Sequence, residues 1–247
     1  MSIDMKLRIC GDDNVAKVAP GGGFLRAQLS RVNSDTLNDF PLRPITLAEA
    51  FTPTGQMRHI DRGRMVFVFV GMPGAGKSLA SQVAGEMKMP IFVSGDIIRN
   101  EAKRRGLNPN KKNLGALMLR IRESEGMGAV ARRLVPLIKE SSSRNVVYEG
   151  ARNIEEVEEL AKHYKVSTIA IHASPETRFH RLLRRKRSDR PRTRADFFER
   201  DKRELTVGVG RVISLADRMV ENEDSIPALK RRMRRVLRAI LAQDQSR

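Results

Sequence analysis

Tryptophan is absent, cysteine occurs once, at Cys10, and aromatic residues make up only 4% of the 247-residue chain. A lone cysteine excludes an internal disulfide framework and a cysteine-built zinc site. With so few rings, a core has to be filled by aliphatic side chains, and a hydrophobic content of 40% supplies them. No apolar run approaches the roughly 20 residues that span a bilayer. The N-terminus also lacks the charged-then-apolar layout of a secretory signal. These absences lead to the expectation of a cytoplasmic protein with no membrane partner; a monomer or a homodimer is the separate expectation for its assembly.

Acidic residues are scarce as well: 29 Asp and Glu face 47 Lys and Arg, a formal charge of +18. The imbalance is uneven along the chain. Residues 1–64 hold nine basic and seven acidic side chains, a balance of +2, which leaves +16 for residues 65–247. Such a surplus attracts polyanions: nucleotides, coenzymes or nucleic acid. A solvated basic surface with no ligand accounts for the same numbers.

Residues 1–64 lack a long periodic segment. "APGGGFLRAQ" and "FTPTGQMRHIDRG" are turn-rich, and a short helix is expected only around "TLAEAF", residues 46–51. The expectation is a flexible or loosely packed extension. One hypothesis starts translation at Met65, and peptides from residues 1–60 in a mass spectrum of the native protein would dispose of it. From Met65 onward, strand-like and helix-like patterns alternate, as βαβ units require. The strands are expected at "MVFVFV" (65–70), "IFVS" (91–94), "NVVYE" (145–149), "STIAIHA" (167–173) and "RMVEN" (218–222). The last helix, around 229–241, gathers Leu229, Met233, Val236, Leu237, Ile240 and Leu241 on one side and arginines on the other. The expected fold is a three-layer α/β/α P-loop NTPase with a mostly parallel five-stranded sheet over residues 65–247.

Gly71, Gly74, Gly76, Lys77 and Ser78 satisfy the pattern G-x-x-x-x-G-K-[ST], between a strand and an amphipathic helix. Glycines let backbone N–H groups turn into the loop, and the following helix N-terminus adds its own donors. Gly71, Met72, Pro73, Gly74, Ala75, Gly76, Lys77, Ser78 and Leu79 therefore form an expected nest for the phosphates of ATP. Lys77 reaches the β- and γ-phosphates in such loops and Ser78 ligates Mg²⁺. A carboxylate to organise the metal should come from a neighbouring strand end, and Glu149 in "NVVYEGARN" is the candidate; a plain surface glutamate is the competing reading. His172, in "AIHAS", reads as a packed or capping residue near the same edge.

Switch hydrolases and small-molecule kinases share all of this. Arginines placed for a second anion discriminate between them. "SGDIIRNEAKRRG" at the second strand end and "YEGAR" at the third stand where such arginines belong. In "SPETRFHRLLRRKRSDRPRTRADFFERDKREL", residues 174–205, Arg178, Arg181 and Arg185 share a helical face while Phe179, Leu182 and Leu183 can face inward. These segments resemble adenylate kinases and, most closely, a group of archaeal P-loop proteins related to them; dephospho-CoA kinases share the plan. The resemblance spans about residues 65–243. It implies an acceptor region over about 95–142, an arginine-rich helical lid over about 174–205, and the cofactors ATP and Mg²⁺. It further implies Arg99 and Arg152 as clamps on the acceptor phosphate, Asp96 beside the transferring group, and Arg185, Arg187, Arg200 and Arg203 as lid arginines, with Arg203 on the acceptor side. By the same analogy Asn222 lies beside the base.

The sequence departs from that pattern in three places. Glu149 replaces the usual aspartate, Ser94 the usual threonine, and the proline and glutamine that help adenylate kinases grip AMP are missing after "EGARN". The leading expectation is an ATP-dependent phosphotransferase acting on a small phosphorylated molecule, a nucleoside monophosphate or a coenzyme precursor such as dephospho-CoA. The rival is a nucleotide-driven switch or RNA-associated ATPase. A third reading keeps ATP bound without turnover.

Overall fold

The computed structural model describes residues 61–185 and 190–245. The expected helix at 46–51, nearly all of the expected extension, and Arg187 lie outside the described residues. The central strand β1 (Asp61–Val70) opens four residues before Met65, because Asp61 pairs with Tyr164 across an irregularity between Asp61 and Met65. Met65–Val70 is buried on both faces, which explains its unbroken apolar run. The side chains alternate: Met65, Phe67 and Phe69 enter one core, and Val66, Val68 and Val70 the other.

The sheet order is β2 (Ile91–Val93), β3 (Asn145–Glu149), β1, β4 (Tyr164–His172), β5 (Arg218–Glu221), and every pairing is parallel. On one face lie α1 (Lys77–Glu86) and α9 (Ile226–Gln245). The other face is covered by α2 (Ser94–Arg104), α3 (Lys111–Glu125), α4 (Ala129–Glu140), α5 (Ile154–Ala161) and α8 (Val209–Ser214). The three-layer expectation holds, with the sheet wholly parallel. Leu229, Met233, Leu237 and Ile240 are buried, with Val236 and Leu241 packed at the margin of the same core. Besides the start of β1, four strand limits differ from expectation: Ser94 opens α2, β4 begins at Tyr164 rather than Ser167 and ends at His172 rather than Ala173, and β5 ends at Glu221 rather than Asn222.

The remaining pair, α6 (Pro175–Arg184) and α7 (Arg194–Val207), forms a small cluster of its own around Phe179, Leu182 and Phe197. Local signals start both helices. Ser174 accepts a hydrogen bond from the Thr177 N–H and Pro175 follows at the first helical position. Thr193 and Asp196 form a reciprocal capping box on α7. Distant in sequence, β1 and β3 are neighbours in the sheet, with Phe69 opposite Glu149. Their carboxyl ends therefore bring the glycine loop and Glu149 together. This is where open α/β sheets hold ligands.

Candidate active site

The loop between β1 and α1 has a backbone that only glycine tolerates at its key points. Gly76 has φ 111°, and a Cβ there would lie 2.3 Å from Nδ2 of Asn222. At Gly71 a Cβ would lie 2.3 Å from the carbonyl oxygen of Ile171. Lys77 folds back over this loop, its Nζ donating to the carbonyls of Gly71 at 2.6 Å and Met72 at 3.3 Å. Burial lowers the Lys77 pKa from 10.5 to about 8, with Glu204 opposing the fall. A cation enclosed in this way gains from a polyphosphate arriving beside it.

Ser78 donates its hydroxyl to Oε1 of Glu149 at 3.0 Å, and Ser81, one turn further along α1, donates to Oε2 at 2.7 Å. Glu149 is therefore fixed at the end of β3 beside the loop. A hydroxyl and a carboxylate are hard oxygen donors suited to Mg²⁺, which also takes phosphate and water oxygens. Among the described residues no cluster of three or more His, Cys, Asp or Glu offers a dedicated metal cage. The donor set thus fits a nucleotide-borne Mg²⁺.

These groups open into a cleft of about 200 Å³. The loop glycines, Pro73, Lys77 and Ser78 line one side, Glu149 and Arg152 the strand end, and Arg185, Arg200 and Glu204 the side of α6 and α7. Arg152 donates from Nε to Glu204 at 3.0 Å and from Nη1 to the Ser94 hydroxyl at 3.1 Å. Burial pushes the Glu204 carboxyl up, but Arg152 beside it outweighs burial and holds its pKa below the usual carboxylate value.

A UPF0200 protein of Hyperthermus butylicus is 41% identical over 180 residues, covering 73% of this chain and 97% of that one. This chain belongs to the UPF0200 family. A second family member, from Pyrococcus abyssi, is 39% identical over 182 residues and is covered over 97% of its length. The profile of an AAA-domain family matches residues 70–198, from the end of β1 into α7. Among solved structures the chain is similar to TT1252 from Thermus thermophilus, with TM-score 0.55 and 18% identity over 73% of this chain and 97% of that one. It is also similar to a shikimate kinase from Bacteroides thetaiotaomicron, with TM-score 0.51 and 16% identity over 71% and 98% of the two chains. The UPF0200 fold is thus that of P-loop kinases.

Within this fold the sequence-predicted residues divide. Lys77, Ser78, Glu149, Arg152, Arg185 and Arg200 share the cleft. Asp96 and Arg99 do not line it: they bond to each other on α2, Arg99 Nε donating to Asp96 Oδ1 at 3.1 Å, and both are about half exposed. Arg203 is exposed on α7 and does not line the cleft either. Asn222 lies behind the loop instead of beside an open base site: it is buried, and its Nδ2 donates to the Ala75 carbonyl at 2.7 Å. Met72, Pro73 and Leu79 are half-buried, and Leu79 packs against the core behind the loop. His172 is exposed, so the packed reading does not hold.

Arg178 belongs to the interior, not to the helix face shared with Arg185. It forms a two-bond ion pair with Asp201 at 2.9 and 2.6 Å, donates to the Pro73 carbonyl at 3.2 Å, and lies over the Phe197 ring. It pins α7 to the glycine loop. Sequence reasoning also missed Ser81 and Glu204. Ser81 stands three residues after Ser78, and Glu204 four after Arg200, so helical spacing alone placed each beside a residue already singled out.

Proposed function

We propose that the protein is an ATP-dependent phosphotransferase for a small phosphorylated acceptor, a nucleoside monophosphate or a coenzyme precursor. One observation carries the reading: Arg152 lines the same cleft as the glycine loop, together with Arg185 and Arg200. A hydrolase can use one arginine on the transferring phosphate; Arg152, additional to Arg185 and Arg200 in the same cleft, suits a second anion. The P-loop kinase fold and the kinase-like neighbour are consistent with this reading at the level of fold.

In this reading the loop N–H groups and Lys77 grip the donor phosphates. Ser78, with Glu149 behind it, would hold a nucleotide-borne Mg²⁺, which would supply charge neutralisation on the phosphates. Arg152 orients the acceptor phosphate, and Arg185 and Arg200 close over the transferring group and keep water out. Asp96, expected beside the transferring group, and Arg99 and Arg203, expected to hold the acceptor, lie outside the cleft and take no part in this arrangement. The test follows transfer against release of free phosphate from labelled ATP, with the nucleoside monophosphates and dephospho-CoA as acceptors. Transfer to at least one, exceeding hydrolysis, is expected; hydrolysis indifferent to every acceptor contradicts the reading.

A second reading, an RNA-associated ATPase, draws on α9, where Arg231, Arg235 and Arg238 are exposed along one face at steps of four and three residues. Salt-sensitive RNA binding that survives Lys77→Ala would favour it.

A further inference from the structure

Glu204 is one of two carboxylates in the cleft; Glu149 is held by Ser78 and Ser81, whereas Glu204 stands among Arg152, Arg185 and Arg200. It stands four residues after Arg200 on α7, and both residues face the cleft. Between them Asp201 turns the other way and is tied to Arg178, which fixes the helix to the glycine loop. Glu204 is thus presented on a braced element. Its contact with Arg152 engages Oε2, and the two side chains, Glu204 and Arg152, keep 22% and 26% exposure toward the cleft. Arg152 in turn commits Nε to Glu204 and Nη1 to Ser94. These two bonds use two of the five N–H donors a guanidinium carries.

A carboxylate held ionised accepts hydrogen bonds and donates none. Beside a bare phosphate dianion it repels. Beside a molecule that presents a hydroxyl next to its phosphate, it accepts a hydrogen bond from that hydroxyl while Arg152 holds the anion. We propose that Glu204 and Arg152 form a two-part acceptor site, and that Glu204 selects acceptors carrying a hydroxyl close to the phosphate: sugar phosphates and nucleotides. This rests on the phosphotransferase reading and adds the chemical class of the acceptor to it.

The test is a binding measurement, so that it does not depend on turnover. The full chain, loaded with Mg²⁺ and a non-hydrolysable ATP analogue, is titrated calorimetrically with AMP, CMP, GMP and UMP and with their 2′,3′-dideoxy counterparts. At least one ribonucleotide is expected to bind about tenfold or more tightly than its dideoxy partner, the worth of a hydrogen bond to a charged group. In Glu204→Ala that gap should close to within about threefold, through loss of ribonucleotide affinity and not gain of dideoxy affinity. Glu204→Gln, which keeps side-chain shape and one carbonyl acceptor, serves where the alanine variant folds poorly and should narrow the gap part-way.

Equal affinity for ribo and dideoxy ligands in the wild type overturns the proposal, as does failure of all four ribonucleotides to bind. A gap unchanged in the variants overturns it too, and marks Glu204 as a strut on Arg152. Discrimination that depends on Glu204, with no phosphoryl transfer from ATP, would instead sink the phosphotransferase reading and leave the Glu204 assignment standing.

Discussion

Lys77 has a protonation state that binding can report. Its ammonium is enclosed by the loop and its pKa falls to about 8, whereas a polyphosphate next to it favours the charged form. The sign follows: near pH 8 about half of the free protein carries a neutral Lys77, and ATP binding should draw up to about half a proton from solution. Below about pH 6.5 the lysine is already charged and its share of the uptake should vanish. Calorimetric titration of ATP in two buffers of different ionisation enthalpy measures this directly. Lys77→Met should abolish the uptake at pH 8. An ATP titration that takes up no proton at pH 8 would show that Lys77 stays charged before the nucleotide arrives.

At the scale of elements, α6, α7 and the glycine loop behave as one unit because Arg178 joins them. Its pair with Asp201 is largely removed from water, and the Pro73 carbonyl takes a further bond. Asp201→Ala leaves a buried guanidinium without its counter-ion and should cost about 3 kcal/mol or more of stability. The double change Arg178→Met with Asp201→Leu should recover most of that loss. It should not recover ATP affinity, because Pro73 has lost its donor. Thermal unfolding and ATP titration of the wild type and both variants separate the two effects; parallel recovery of both would show that Arg178 is only a packing element.

Elements of this kind also show what the sequence could and could not convey. β1 was legible because six consecutive apolar residues bounded by a glycine loop have one natural home, the middle of a parallel sheet. α9 was legible from its period, and Glu149 from its place at a strand end. The polar start of β1 was hidden, since Asp61 joins the sheet only through Tyr164, far along the chain. Arg178 read as sharing a helical face with Arg181 and Arg185, because an arginine on an amphipathic helix carries no local mark of the aspartate that buries it. Arg99 and Arg152 looked equivalent in the chain; only the folded arrangement sets Arg152 in the cleft and Arg99 against Asp96.

For the whole molecule, only part of the excess of +16 in residues 65–247 lies in the cleft, and another part lies on an outer face. The cleft arginines are the ones assigned to nucleotide and acceptor. Arg231, Arg235 and Arg238 on α9 do not line it, and no helix among the described residues is long and apolar enough to cross a membrane. Should the protein bind single-stranded RNA through α9, replacing these three arginines with alanine should flatten the slope of log affinity against log salt by about 2, with ATP turnover unchanged. A slope that stays the same would place any RNA contact elsewhere.

The proposed phosphoryl transfer requires two anion sites in one cleft, one built by the glycine loop and one by Arg152. Steady-state kinetics of Arg152→Met test this most directly, with ATP and the acceptor varied in turn. The KM for the acceptor should rise about tenfold or more while the KM for ATP stays within about threefold. Loss of ATP binding with no change toward the acceptor would contradict it.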